Sequence, residues 1–245
     1  MNALLFDFGG TLDTNGIHWS EKFWDAYQEL KIGISKEEFE RAYVGAESRM
    51  SPGVIGPHDS MRTTLEKQVA LQFEELQAAG ILTGSQPVSA PSSRVAEVCY
   101  RSVQHTMRRV RPMLAACRQK HRLGVVSNFY GNLRAACADL SIEEYFDVII
   151  DSAKVGARKP DPEIFRISLA ELGVAPRDSL VIGDSYERDI VPAKSIGCAT
   201  VWLRGRSWKE PSEISSADFV IHSLADVYSF LKPARQLIAS QRLPT

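Results

Sequence analysis

Leu4-Leu5-Phe6-Asp7-Phe8-Gly9-Gly10-Thr11-Leu12 is an apolar run that ends on a carboxylate and passes at once into two glycines and a threonine. A short apolar run bounded by turn residues reads as a buried parallel strand, and open α/β sheets gather ligands at the carboxyl ends of their strands. Asp7 therefore stands where a rigid strand meets a glycine turn, a position suited to a nucleophile or a metal ligand. The same pattern also describes an ordinary strand end. Three further segments narrow the choice. Val125-Val126-Ser127-Asn128 is a second apolar strand closing on a hydroxyl and an amide. Gly156-Ala157-Arg158-Lys159-Pro160-Asp161-Pro162 sets a lysine just ahead of a Pro-Asp-Pro helix start. Leu180-Val181-Ile182-Gly183-Asp184-Ser185 is a third strand ending on a carboxylate, and Asp189 lies five residues beyond Asp184.

Outward from these strands the chain divides in two. From about residue 111 the pattern alternates between helix and strand. Pro112 is read as starting a helix through Arg118–His121, then Leu123–Ser127 as strand, Leu133–Leu140 as helix and Phe146–Asp151 as strand. Pro162–Leu172 is a helix with Gly173 past its end, Ser179–Gly183 a strand, Glu187–Ile196 a helix stopped by Gly197, and Ala199–Leu203 a strand. Phe219–Ile221 reads as an edge strand before a helix near Leu224–Leu231. Such alternation predicts a parallel sheet covered on both faces.

Residues 14–108 break the rhythm. Phe23, Trp24, Tyr27 and Leu30 follow Ser20 at helical spacing, and Ser35-Lys36-Glu37-Glu38 is a capping box opening a helix through Tyr43. Met61–Leu76 and Val95–Met107 are periodic too, and the joints from Ser51 to Pro57 and from Thr83 to Ser93 are rich in Pro, Gly and Ser. The expected organisation is a sheet core at 1–13 and 109–232, an all-helical insertion at 14–108, and a loose tail at 233–245.

Composition adds limits. The chain is 44% hydrophobic and 24% charged with a formal net charge of −1, ordinary for a globular protein and no lure for nucleic acid or an anionic membrane. No apolar run approaches the ~18 residues of a membrane span, and with chemistry-bearing sequence by residue 7 no cleavable signal is expected. Cys99, Cys117, Cys137 and Cys198 form no CxxC pair, so buried free thiols in a reducing cytoplasm are expected.

In order and spacing, the segments at Asp7, Ser127, Lys159 and Asp184 resemble the four motifs of the haloacid dehalogenase-like hydrolase superfamily. The resemblance implies an α/β fold, a Rossmann-like parallel sheet with a helical cap inserted after the first strand. It also implies an aspartyl-phosphate mechanism on a small phosphorylated metabolite, with Asp7 as nucleophile. Asp7, the Gly9 carbonyl, Asp184 and Asp189 would hold Mg2+, a hard cation suited to oxygen ligands. Ser127, the Asn128 backbone and Thr11 would meet the phosphoryl group, Gly10 would shape the turn, and Lys159 would balance charge. Each residue has a plainer reading beside this one. Ser127-Asn128 also suits a turn, Lys159 a solvated surface, Asp189 a helix first turn. Trp19, Phe23, Trp24 and Tyr27 suit the core of the cap as well as a substrate box.

One position departs from the pattern. Phosphatases of the superfamily carry a second Asp two residues after the nucleophile, as acid and base, and here that position is Gly9. Loss of general acid–base catalysis costs ~10²–10⁴-fold, so turnover restricted to good leaving groups is expected. Asp13 and His18 are the nearest substitutes. Two alternatives stay open: a phosphate-ligand binding or regulatory protein with little turnover, and a C–halogen or C–P hydrolase. The last would need a Schiff-base lysine in the cap for its C–P form, and Lys22, Lys31, Lys36 and Lys67 offer no distinguishing feature.

Overall fold

The computed structural model describes residues 1–50, 53–82, 89–208 and 217–231. The expected tail and most of the joint from Thr83 to Ser93 lie outside them. Six parallel strands form one sheet: β1 (Ala3–Phe6), β2 (Arg122–Ser127), β3 (Val148–Asp151), β4 (Ser179–Gly183), β5 (Ala199–Leu203) and β6 (Phe219–Ile221), in the order β3-β2-β1-β4-β5-β6. Between β1 and β2 the chain makes α1 (Trp19–Glu29), α2 (Lys36–Arg49), α3 (Met61–Ala78) and α4 (Ser89–Arg118). The later crossovers carry α5 (Leu133–Asp139), α6 (Ser152–Val155), α7 (Glu163–Leu172) and α8 (Val191–Ser195).

Strand residues alternate between two cores, as a period of two requires. Leu4, Phe6, Leu123, Val125, Leu180 and Ile182 point to the face where α4, α5 and the inserted helices pack. Leu5, Val126, Ile150 and Val181 point to the other, against Ile164, Phe165, Leu169 and Leu172 of α7. Gly173 ends α7 in the left-handed region, at φ 63°.

The four cysteines are free and buried. Among the described residues no helix is long and apolar enough to cross a membrane. The capping box at Ser35 is formed, with Glu38 N–H donating to the Ser35 hydroxyl and the Glu38 carboxylate accepting from Ser35 N–H. His18 caps α1, its Nδ1 accepting from Ser20 N–H at 3.2 Å.

Three boundaries differ from the sequence expectation. Pro112 starts no helix but lies inside α4, which runs 30 residues without a break. Val103, Met107, Val110, Met113, Leu114 and Cys117 share one buried stripe along it, and that packing outweighs the lost amide donor. The helix expected at Glu187–Ile196 opens as a wider turn over Tyr186–Ile190 before α8, and Leu224–Leu231 forms a 3-10 helix.

Candidate active site

The sheet order reverses between β1 and β4, whose carboxyl ends lie side by side in register, Phe6 opposite Ile182. A crevice opens at such a switch point, and both strands end there on a carboxylate. Asp7 N–H donates to Ile182 C=O at 2.9 Å, fixing the Asp7 backbone to the neighbouring strand. Gly10 follows at φ 96°, where a Cβ would collide with the Asp184 carboxylate, so the turn admits no side chain there.

Lys159 is buried, and its ammonium joins the two sides of the crevice. Nζ donates to Asp7 Oδ1 at 2.5 Å, to Asp189 Oδ1 at 2.6 Å and to Val126 C=O at 3.1 Å. The Asn128 side chain holds Lys159 in place from both directions, accepting from Lys159 N–H and donating to Lys159 C=O, each at 2.9 Å. The Ser127 hydroxyl lies 3.4 Å from Asp7 Oδ1. Thr11, fully buried, donates its hydroxyl to Asp184 Oδ1 and accepts from Asp184 N–H, both at 3.0 Å. Asp7, Ser127, Asn128, Lys159 and Asp189 are thus linked in one network, Thr11 and Asp184 pair beside it, and Gly9 lines the same cavity. The Asn128 amide and the Thr11 hydroxyl, however, serve to position Lys159 and Asp184.

Three carboxylates cluster here, and two of them, Asp7 and Asp189, pair with one ammonium. Burial first, then the charges of Asp7 and Asp189, hold the Asp184 carboxyl well above the usual range. Burial likewise pushes Asp189 up to about 6 despite Lys159. Burial alone would lower the Lys159 ammonium, and the Asp189 and Asp7 carboxylates more than reverse it. Oxygen atoms of Asp7, Asp184 and Asp189 lie within 4.8 Å of one another, and Asp7 Oδ2 is buried with no hydrogen-bond partner. An all-oxygen donor set with excess negative charge and one orphaned oxygen fits a small divalent cation.

Of the two substitutes for an acid at position 9, only His18 lines the cavity of about 740 Å³ above this cluster. With Nδ1 accepting from Ser20 N–H, its ring proton belongs on Nε2, and burial and Arg188 hold the imidazole below its ordinary pKa. Asp13 is fully buried away from the cavity wall. Its Oδ1 accepts from Gly10 N–H at 2.8 Å and its Oδ2 from Trp19 Nε1 at 2.7 Å, so it braces the turn and orients the indole. The aromatic cluster divides: Trp19 lines the cavity, Phe23 and Tyr27 are fully buried, and Trp24 packs partly buried against them.

Burial pushes Asp13 up to about 7, against 3.8 for an ordinary aspartate. The folded chain then keeps a proton that the unfolded chain has lost, so this group's contribution to stability falls as pH rises between those values. Above that window it is constant. Asp13→Asn is expected to remove its own share of the slope, leaving the shares of Asp184, Asp189, Glu47, His18 and His121, when urea unfolding is followed from pH 5 to 8. An unchanged slope would remove Asp13 from the account.

Sequence reasoning missed the helical side of the cavity, where Tyr43, Glu47 and Gln68 approach Tyr130 of the loop after β2. Glu47 accepts from the Tyr130 hydroxyl through both oxygens, at 3.1 Å each, and from Gln68 Nε2. The one usable signal was Tyr130, an aromatic residue three positions past Ser127.

Glyceraldehyde 3-phosphate phosphatase of Methanocaldococcus jannaschii is 31% identical over 93 residues, covering 38% of this chain and 41% of that protein. The chain thus spans less than half the length of this relative. Phosphoglycolate phosphatase of Photorhabdus laumondii is 24% identical over 94% of this chain and 92% of its own. The magnesium-bound structure of the HAD-hydrolase YfnB from Bacillus subtilis superposes with a TM-score of 0.58 at 16% identity, over 95% of this chain and 99% of that one. The sequence profile of the haloacid dehalogenase-like hydrolases matches residues 1–197, which contain the whole Asp7–Lys159–Asp184–Asp189 cluster, and the chain belongs to that family.

Proposed function

We propose that this chain hydrolyses small phosphorylated metabolites with Mg2+, through an aspartyl-phosphate on Asp7 and without the usual second Asp. The observation that carries this reading is the Asp7 carboxylate, grouped with those of Asp184 and Asp189, with one oxygen on Lys159 and the other buried and unpartnered. Asp7, Asp184 and the Gly9 carbonyl would hold the cation, with Asp189 in or beside that shell. Bound there, it would neutralise phosphoryl oxygens.

The chain's own groups account for the remaining steps. An Asp7 oxygen bonds to phosphorus as the bond to the organic oxygen breaks, and the electron pair leaves with that oxygen. Lys159 balances the charge of the assembly, while Ser127 and the Asn128 backbone meet the phosphoryl oxygens. Water then attacks phosphorus, Asp7 is regenerated, and both water protons end on the released phosphate. With no carboxyl at position 9, the organic oxygen departs unprotonated, which favours aryl, acyl and enol phosphates.

The helices within 14–108 would act as the cap over the core formed by 1–13 and 109–232. Relatives named for glyceraldehyde 3-phosphate and phosphoglycolate support a small phosphorylated substrate. Four buried free thiols suit a reducing compartment such as the cytoplasm.

A second reading rests on Gly9 itself: a protein that binds a phosphate ligand and scarcely turns it over. Phosphate release from 4-nitrophenyl phosphate and acetyl phosphate separates the two. The hydrolase reading expects release with Mg2+ and none after EDTA. Calorimetric binding of inorganic phosphate without Mg2+-dependent release would overturn it in favour of the second.

A further inference from the structure

The geometry points to Glu47 as the residue that selects the organic part of the substrate, a phosphomonoester bearing an ammonium or hydroxyl donor. This inference rests on the phosphohydrolase reading and deepens it. Glu47 lies on α2 and lines the same cavity as Asp7 and Lys159, some forty residues from either in sequence or more.

Its two partners are neutral. The single Tyr130 O–H proton is shared between both carboxylate oxygens, and Gln68 supplies the other donor. A carboxylate has about four lone-pair sites, so acceptor capacity remains, and among the described residues no cation lies in ion-pair contact with it. Burial raises the Glu47 carboxyl above its usual value, against the opposing effects of Tyr130, Arg158, Arg188 and Gln68, and an arriving donor would relieve that cost.

The carboxylate is also held still. Gln68 is buried, and Tyr130 packs beside Ala46, Met50, Ile55 and Leu71. Tyr43 and Trp208, with ring centroids 5.6 Å apart, line the same cavity. Aromatic faces beside a fixed carboxylate suit an ammonium best and a hydroxyl next. A purely apolar group would leave the carboxylate desolvated and unrelieved.

Three aryl phosphates with matched leaving groups test this: 4-aminomethylphenyl, 4-hydroxymethylphenyl and 4-ethylphenyl phosphate, each with Mg2+. Wild type is expected to favour the first two over the third by about 10- to 100-fold in kcat/KM. Glu47→Gln keeps an acceptor for Tyr130 and nearly the same shape, so the fold survives. It is expected to shrink that preference to about threefold or less, through KM of the donor-bearing compounds. A preference for the amine over the alcohol would identify an ammonium, and equal preference a hydroxyl, either supporting the assignment. The same ratios in wild type and variant, or no preference in wild type, would overturn it. If none of the three were hydrolysed, the phosphohydrolase reading would fall. Calorimetric titration of the same compounds into both proteins would then decide the subsite alone, loss of preference in the variant supporting it and equal affinities refuting it.

Discussion

Asp7→Asn is expected to abolish Mg2+-dependent phosphate release, by about 10⁴-fold or more, because an amide cannot serve as the nucleophile that forms the intermediate. The substitution also removes one of three crowded carboxylates and leaves Lys159 paired with Asp189 alone. The protein should therefore fold, and its near-ultraviolet circular dichroism should match wild type. Lys159→Met has the opposite signature. It strips the one ammonium from the buried carboxylates, and breaking a buried pair from one side costs about 3–5 kcal/mol. Its melting temperature should fall in EDTA and recover partly with Mg2+, which can restore the missing positive charge. Turnover in Asp7→Asn equal to that of wild type would end the covalent mechanism.

Gly9→Asp is expected to raise turnover of simple alkyl phosphates by up to ~10²-fold while changing aryl phosphates much less. The backbone permits it. Gly9 lies at φ −77°, ψ 114°, an extended conformation open to any side chain. A Cβ there would meet only Trp19 Cδ1 and Nε1, at 3.9 Å, an ordinary contact. A new carboxylate could compete with Asp13 for the indole N–H, so the variant's stability should be measured beside its rates. If a folded Gly9→Asp variant kept the wild-type ratio of alkyl to aryl turnover, the proton would already have a donor. His18 is then the candidate, since Asp13 does not reach the cavity wall.

Much of the core was legible because its signals are local. β1 and β4 are unbroken apolar runs, each meeting a turn at an acidic residue, and parallel strands buried on both faces have to read that way. Lys159 became legible only in conjunction with them, since a lysine before a proline looks like surface in isolation. Its burial depends on Asp7 and Asp189, far away in sequence. The helical side was silent for the same reason. Glu47 sits in Glu37–Arg49, a stretch of mixed charge that reads as a solvated helix face, and its contact with Tyr130 spans 83 residues. Pro112 misled because a proline is a strong local breaker, whereas the buried stripe from Val103 to Cys117 is a tertiary fact. The Asn128 backbone was expected at the phosphate from its place after Ser127, whereas the task of its side-chain amide, binding the Lys159 backbone 31 residues on, had no local signal.

The unbroken α4 has a mechanical consequence. At 30 residues it is about 45 Å long, and it passes from the inserted helices to the strand that carries Ser127 with only a short turn before β2. It packs against α1 and α3, and it also touches β2 of the sheet. A rigid beam shared by both layers leaves no slack at that crossing, so any rocking of the helices over the sheet must bend the beam or turn with it. Pro112 gives it one soft point, because the Arg108 carbonyl has no amide donor four residues ahead. The helical layer would then move as the arm of a lever with its fulcrum near residues 108–112. A small tilt at that fulcrum would carry the packed α1 and α3 with it while leaving Asp7, anchored to the neighbouring strand, almost still.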